Sequence, residues 1–404
     1  MTAAEFDCQA ARAQARLFAN EHFSESSIQA WCRNQGMPPE VMKAFYSGPL
    51  GKIGLPKELG GLDSSFGSQV AVIEELHRCA GTMLPFVSQL MSVRLMCYLS
   101  GNKHSSFVNE MFRTLGEVGF SEAISEPTAG PDVFAMRTSV TEQGGEIILN
   151  GTKTFVTNGQ FEPFIMVAAC EPDFDPSNRR LSFWLVPRDL PGIYTYPIET
   201  VGQNLTPQAM IKFDNVPLLP EYAIGERGCA AKALKDLFDI GRTLVCASSL
   251  GLAKAAMEDA VRYASTRKTF GKPIYEHAQI QEKLVDMEIV LRSMEDATYR
   301  AAREIDHGLP SAHLSAALAK RTVPRQATEL ASQAMQIFGG VGYTELSRVG
   351  RIWRDCRGNQ LAQGTDEIMV RVAGKRILSS YLGNTPSESK TRTVGTTNNN
   401  ERTE

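Results

Sequence analysis

The chain has 404 residues, of which 43% are hydrophobic and 22% are charged. These fractions are close to the globular average, so they exclude a collagen-like, coiled-coil or wholly disordered chain. The 42 Lys and Arg residues are balanced by 45 Asp and Glu residues, which gives a formal net charge of −3. Because this balance provides no basic excess for a phosphate backbone, we expect no nucleic-acid partner.

The eight cysteines have no spacing that is typical of a metal site. None forms a C-x-x-C pair and no histidine cluster lies beside them, so we predict no bound metal. The first seven residues lack the basic and apolar regions of a secretory signal. No segment approaches the roughly 18 uninterrupted apolar residues of a membrane helix. We therefore expect a cytoplasmic protein with reduced thiols and no membrane partner.

Residues 1–118 are predicted to form a helical domain. Apolar side chains recur at three- and four-residue intervals, as at Val70, Ile73 and Leu76. Glycine and proline punctuate residues 48–62, which indicates a loop.

Residues 119–229 change to short β-rich runs bounded by Gly, Pro, Asn or Asp. Such runs, separated by turn signals, predict a β-sandwich or β-barrel domain. The pair Asn150-Gly151 predicts a hairpin turn. The predicted strands include residues 147–149, 155–157, 164–169, 181–186 and 210–213.

Residues 230–383 return to a helical pattern, with long helices predicted over 231–307, 311–338 and 366–381. The first is interrupted near Gly271. Residues 384–404 are almost entirely polar or charged, which predicts a disordered tail. A β domain between two helical parts makes the chain an α+β protein.

Two stretches of the β-rich part are candidates for contact with a ligand. The loop from Ser125 to Asp132 contains small residues that let a backbone approach a ligand closely. In the next predicted strand, Phe155 and Thr157 share one face and could pack on a heteroaromatic ring and bond its edge. The alternatives are a plain turn for the loop and an ordinary half-buried strand.

The helical part offers further candidates. Arg267 to Gly271 and Gln336 to Gly342 each follow a predicted helix, and neither is a Walker loop or a Rossmann fingerprint. Asp239 and Arg242 are three residues apart, so they share one helix face. That pair is either part of a ligand site or a solvated ion pair.

Together these stretches resemble the acyl-CoA dehydrogenase family over nearly the whole chain. The family pattern T/S-E-P-x-A-G-x-D appears from Ser125 to Asp132, and K-x-[FW]-[IV]-T-N appears from Lys153 to Asn158. R-K-T-F-G begins at Arg267 and Q-[IV]-F-G-G at Gln336. The fifth motif runs from Arg354-Asp355 to Gly364-Thr365.

The resemblance implies a helical amino-terminal domain, a middle β domain and a carboxy-terminal four-helix bundle, with FAD between them. It implies an acyl thioester of CoA or of a carrier protein as substrate, and an electron-transferring flavoprotein as a possible electron partner. It also implies a dimer or a dimer of dimers.

The resemblance also implies roles for single residues. The residues implied to bind the chain's own FAD are Ser125, Gly130, Phe155, Thr157 and Thr365. Those implied to reach the FAD of a neighbouring subunit are Arg267, Phe270, Gln336 and Gly340. Those implied to line the substrate entrance or hold the CoA arm are Asp239 and Arg242.

The chain departs from the family where the catalytic base is expected. The family glutamate that removes the α-proton directly precedes Gly364-Thr365, and this chain has Gln363 there. The alternative family position, directly before Arg242, is Gly241. Pro131 replaces the small residue usual in the loop, which removes a hydroxyl and a backbone donor near the implied thioester.

Several interpretations follow from the missing glutamate. The enzyme could act on an acyl thioester with another carboxylate or water as base, or run as an enoyl-thioester reductase. The last third of the chain looks most like the crotonobetainyl-CoA reductase branch, although that branch keeps the alternative glutamate. Changed chemistry, such as monooxygenation or a carrier-bound substrate, and a non-catalytic flavoprotein are the remaining interpretations.

Overall fold

The protein is described by a computed structural model, which covers residues 3–57, 60–100, 110, 119–130, 132–172 and 180–382. Pro131 and the predicted tail at 384–404 lie outside the described residues. Within these ranges, no helix combines the length and apolarity needed to cross a membrane.

The described residues of the amino-terminal part up to Ser100 form five helices, and α4 (Phe66–Ala80) lies at their centre. A serine and a glycine define the ends of α4. The Ser65 hydroxyl accepts from the Ser68 N–H, and Gly81 follows the helix with a positive φ of 59°. Nearly every residue of α4 is buried because the helix packs against α1 on one side and the carboxy-terminal bundle on the other. The bounds are α1 Ala3–His22, α2 Glu25–Arg33, α3 Pro39–Ser47, α4 Phe66–Ala80 and α5 Phe86–Ser100.

The middle part is a sheet of eight strands. Its hydrogen-bonded order is β6-β7-β3-β2-β4-β5-β8, and β1 pairs in parallel with β4. Fully buried side chains such as Trp184 and Phe213 form its own apolar core. The bounds are β1 Phe120–Ala123, β2 Ser139–Gln143, β3 Glu146–Thr157, β4 Phe164–Cys170, β5 Leu181–Pro187, β6 Ile193–Ile198, β7 Gln208–Leu218 and β8 Ala223–Ile224.

The prediction of a hairpin turn at Asn150-Gly151 is wrong. These residues lie inside β3, at a register shift in the pairing with β7. Gly151 has a φ of 149°, and a Cβ there would lie 2.4 Å from Thr138 Oγ1, so the glycine serves a β-bulge and a close strand contact. The turn between β2 and β3 is formed by Gly144 and Gly145, both with positive φ.

The carboxy-terminal part is helical, and α8 packs against each of the other four helices there. A two-stranded ribbon lies between α6 and α7. The predicted helix end at Phe338 and the α+β class are confirmed. The interruption predicted near Gly271 is the segment 267–277 between two helices. The bounds are α6 Ala230–Thr266, β9 Lys268–Thr269, β10 Lys272–Pro273, α7 Ala278–Asp306, α8 Ala312–Phe338, α9 Arg348–Asn359 and α10 Asp366–Tyr381.

A buried carboxylate on α9 joins the three parts. Asp355 Oδ2 accepts from the Thr82 hydroxyl at 2.8 Å and the Met83 N–H at 2.7 Å, both in the connection between α4 and α5. Its Oδ1 accepts from the Gln203 N–H, between β6 and β7, at 2.5 Å. Burial raises the pKa of Asp355, and these donors act in the opposite direction. One side chain thus satisfies backbone donors of both other parts.

We expect Asp355→Ala to lower the free energy of unfolding by about 3 kcal/mol or more, because three buried donors lose their acceptor. Urea unfolding followed by circular dichroism measures this loss. Asp214→Ala is the control, since the Asp214 side chain is 42% exposed and bonds Lys212 and Asn215 at the surface. Equal destabilisation by the two substitutions would contradict this role for Asp355.

Candidate active site

A buried ion pair fixes the two predicted ligand-contacting stretches against each other. Lys153 on β3 donates from Nζ to Glu126 Oε1 at 2.9 Å and to the Ile124 carbonyl at 2.9 Å. Their side chains are 0% and 4% exposed. The Thr154 N–H also donates to the Ser125 carbonyl at 2.9 Å. The loop that begins at Ser125 therefore lies directly beside β3.

Glu126 is held as a carboxylate. Burial acts to raise its pKa, but the Lys153 ammonium and the backbone N–H of Arg137 outweigh burial, so the pKa lies below its usual range. The Arg137 and Thr138 N–H groups donate to its two oxygens at 2.7 and 2.9 Å. These partners occupy the hydrogen-bonding groups of Glu126 and Lys153, so both residues have a structural role.

Phe155 presents an aromatic face beside this loop. A second register shift of β3, between Lys153 and Val156, gives Phe155 a φ of 53° and leaves its side chain 63% exposed. Lys153 and Val156 are both buried although they are three residues apart, so the alternation predicted for this strand is interrupted at the bulge. Thr157 is partly exposed, and its hydroxyl oxygen accepts from Gln208 Nε2 at 3.1 Å.

The two positions at which the resemblance implies a catalytic base converge on one point. Gln363, in the turn between α9 and α10, places its amide against Gly241 of α6. A Cβ at Gly241 would lie 2.7 Å from Gln363 Oε1 and 2.7 Å from Met91 Cε. Gln363 Nε2 lies 3.6 Å from Met91 Sδ on α5. The neutral amide of Gln363 thus occupies the space that a side chain at position 241 would also need.

Asp239 and Arg242 form an ion pair that is mostly shielded from solvent. Arg242 Nη1 donates to Asp239 Oδ1 at 2.9 Å, and their side chains are 6% and 14% exposed. Burial lowers the pKa of Arg242, and Asp239 counteracts that effect. His313 Nδ1 lies 2.8 Å from Asp239 Oδ2. The alternative of a solvated ion pair is therefore wrong. His313 lies on α8, so the spacing of Asp239 and Arg242 in the sequence could not indicate it.

The four residues implied to reach a neighbouring subunit lie at the other end of the bundle. Arg267, Phe270, Gln336 and Gly340 are all exposed, and Phe270 is 96% exposed. Tyr263 and Phe338 stack at a centroid distance of 4.2 Å, which joins the ends of α6 and α8. Arg267 follows Gly241 by 26 residues along α6. At 1.5 Å per residue, the two ends of the site are about 39 Å apart along this helix.

Two ionisable residues near Gln363 were missed because sequence spacing does not identify them. Lys320 of α8 is fully buried beneath the Gln363 turn. Glu122 of β1 accepts from the Ser92 hydroxyl at 3.0 Å, one residue after Met91 on α5. Burial raises the pKa of Glu122 to about 8. Among the described residues, no group of three His, Cys, Asp or Glu side chains could hold a metal ion.

Family models match the chain in three consecutive stretches. The N-terminal domain of acyl-CoA dehydrogenase matches residues 6–106, its middle domain residues 121–216 and its C-terminal domain residues 231–378. The chain belongs to the acyl-CoA dehydrogenase family. This membership confirms the fold, the oxidoreductase class and the FAD cofactor that the resemblance implied.

Similar proteins cover almost the full chain. The Escherichia coli K12 protein named "Probable acyl-CoA dehydrogenase YdiO" is 32% identical over 369 residues, which are 91% of this chain and 96% of that protein. A solved acyl-CoA dehydrogenase from Slackia heliotrinireducens is 38% identical, with a TM-score of 0.82 and coverage of 95% and 98%. Butyryl-CoA dehydrogenase from Megasphaera elsdenii is 26% identical, with a TM-score of 0.85 and coverage of 94% and 99%.

The described residues fit FAD. A Cβ built on Gly130 or Gly340 meets no atom within 4 Å, so both backbones are open to a ligand. Phe155 and Phe270 expose large aromatic surfaces at the motif positions, as expected of residues that a flat ring system covers.

We expect Lys153→Met to destabilise the protein by about 3–5 kcal/mol and to release FAD, because Glu126 is left as an unpaired buried charge. Lys153→Met combined with Glu126→Gln removes that charge and should recover part of the stability. Thermal unfolding and the flavin absorbance retained after gel filtration measure both effects. A double variant no more stable than Lys153→Met would count against the ion pair.

Proposed function

We propose that this chain is an FAD-dependent oxidoreductase that acts on the α and β carbons of an acyl or enoyl thioester without a glutamate base. The observation that carries the proposal is the convergence of Gln363 and Gly241, the two family base positions, on one point that holds an amide. The flavin-facing motifs around Phe155 are present, whereas the carboxylate is not.

The amide changes the proton step. Gln363 cannot accept a proton at neutral pH, and general acid–base catalysis contributes roughly 10²–10⁴ in rate, or about 3–5 kcal/mol. A catalyst leaves the equilibrium unchanged, so this loss slows oxidation and reduction by the same factor. We therefore propose that water or another side chain carries the proton in either direction.

The remaining residues have binding roles in this proposal. FAD, when bound, would supply the hydride chemistry at the β-carbon. Asp239 holds Arg242 at the substrate entrance, and no hydrogen-bond partner among the described residues reaches the buried Nε of Arg242. Pro131 belongs to the loop beside the thioester, although it lies outside the described residues. In this proposal, the residues with which the chain binds its own FAD are Ser125, Gly130, Phe155, Thr157 and Thr365.

We expect Gln363→Glu to create or raise α,β-dehydrogenation of a saturated acyl-CoA, because it restores a carboxylate at the family position. Stopped-flow flavin bleaching by butyryl-CoA and octanoyl-CoA under anaerobic conditions measures the change. Gln360→Glu is the matched control on the same turn, since the Gln360 side chain bonds Thr328 instead. Equal activity in Gln363→Glu and in the unsubstituted protein would count against this site and favour changed chemistry or a non-catalytic flavoprotein.

We propose a homo-oligomer in which one subunit completes the FAD site of another. Arg267 and Phe270 are exposed and lie about 39 Å along α6 from Gly241, so they are too distant to serve the same ring system. Gln336 and Gly340 lie at the same end of the bundle, because Tyr263 near the end of α6 stacks on Phe338 at the end of α8. A dimer or a dimer of dimers follows from the resemblance.

We expect Arg267→Ala to weaken flavin retention and oligomerisation together. Light scattering coupled to gel filtration, with flavin absorbance, reports both quantities in one run. Arg262→Ala is the control, because Arg262 is an exposed arginine at the same helix end. A fully flavinated and unaltered oligomer in Arg267→Ala would contradict the proposal.

The remaining partners are extensions of the same proposal. The substrate is a thioester of CoA or of a carrier protein, and the electron partner is an electron-transferring flavoprotein or oxygen. The reductive direction, as in the crotonobetainyl-CoA reductase branch, is supported only by the sequence likeness near Gln363. The cytoplasm is the compartment that the sequence favours.

A further inference from the structure

The Gln363 turn rests on a buried ammonium group. Lys320 of α8 is fully buried, and its Nζ donates to the Gln360 carbonyl at 3.2 Å and the Gly364 carbonyl at 3.0 Å. These two carbonyls bracket Gln363 on both sides. One side chain from a different helix thus bonds the start and the end of the turn.

The turn needs such support because its backbone is unusual. Gln363 has a φ of 55° and Gly364 a φ of 96°. The left-handed conformation of a non-glycine residue costs roughly 1 kcal/mol or more unless its surroundings fix it. The Leu361 and Ala362 N–H groups both donate to the Gly358 carbonyl, at 2.9 and 3.2 Å. These bonds hold the first half of the turn, and Lys320 holds its second half through the Gly364 carbonyl.

The charge of Lys320 is not neutralised by a direct partner. Among the described residues, no carboxylate forms a salt bridge with its Nζ. The charged or titratable groups that face it are Cys246 and Arg242 of α6 and Asp366 of α10, and burial is the main influence on its pKa, which lies at about 8. Cys246 is a neutral thiol, because burial raises its pKa to about 12.

We propose that Lys320 is a positioning residue of the active site, which fixes residues 360–364 so that residue 363 faces the acyl thioester and which makes the potential there more positive. The first half of this proposal concerns the turn alone, and the second rests on the proposed function. A lysine that merely fills space in the bundle would affect neither the turn dynamics nor the ionisation of a group at 363.

The first measurement is hydrogen exchange of the backbone amides of residues 358–366 in the flavin-loaded protein. Lys320→Met should accelerate their exchange by about tenfold or more, whereas Lys320→Arg should accelerate it less because it keeps donors and charge. Lys283→Met is the matched control, since Lys283 bonds Gln333 between α7 and α8 and does not contact the turn. Unchanged exchange in Lys320→Met would overturn the positioning role.

The second measurement tests the electrostatic role in the Gln363→Glu background. The pH midpoint of anaerobic flavin bleaching by butyryl-CoA reports ionisation of the introduced carboxyl. Adding Lys320→Met should raise that midpoint by about one pH unit, because a nearby positive charge that favours the carboxylate is removed. Lys320→Arg should restore it, and an unchanged midpoint in Lys320→Met would overturn the electrostatic role.

The two measurements separate this proposal from the proposed function. If Gln363→Glu shows no bleaching with any acyl-CoA, the thioester function and the electrostatic role both fail, and the exchange data still decide whether Lys320 fixes the turn. If Lys320→Met does not fold, Lys320→Gln replaces it, because it keeps an amide donor group without the charge. It should raise the pH midpoint as Lys320→Met does and accelerate exchange by less than tenfold, and no change in either quantity would overturn the corresponding role.

Discussion

The buried carboxylate of Asp355 determines where the three parts of this protein meet. It accepts donors from the connection between α4 and α5 and from the connection between β6 and β7. The site residues come from the elements that these bonds hold together: Met91 from α5, Phe155 from β3 and Gln363 from the turn after α9. Because no single part contains the site, its geometry depends on the packing between parts.

Each half of the candidate site is also held by one buried side chain, which is a lysine in both cases. Lys153 is paired with Glu126, which makes the flavin-facing loop a neutral, fully bonded unit. Lys320 bonds carbonyl groups only, so its charge is not cancelled locally. The contrast has a chemical consequence. In our proposal, Lys320 makes the potential more positive beside Gln363, where the resemblance implies a carboxylate and this chain has a neutral amide.

The sequence predicted the elements whose patterns are local. The helix end at Phe338 and the strands β4, β5 and β7 follow from periodicity and turn residues. Strands β1, β2, β6 and β8 were not predicted, and the two runs at 147–149 and 155–157 belong to one strand, β3. Asn150-Gly151 misled because a bulge and a turn use the same residue types, and only pairing with β7 distinguishes them. Five motifs in order indicate the family from the sequence alone.

The contacts within the site required the fold. Gly241 and Gln363 are more than a hundred residues apart, and no local pattern shows that a Cβ on one would touch the amide of the other. His313 and Lys320 lie on a helix whose apolar spacing is ordinary, so neither was predicted. Burial selects Lys320 and the contact with Asp239 selects His313, and both are properties of the packed chain.

The central claim is that a thioester site lies beside the flavin and has no efficient base. The most direct measurement is an anaerobic titration of the purified flavoprotein with saturated acyl-CoAs and, after chemical reduction, with enoyl-CoAs, followed by flavin absorbance. The account predicts a saturable spectral shift on binding of acyl-CoA, with slow bleaching by saturated thioesters. No spectral response to any CoA thioester, or complete bleaching within the mixing time, would contradict it.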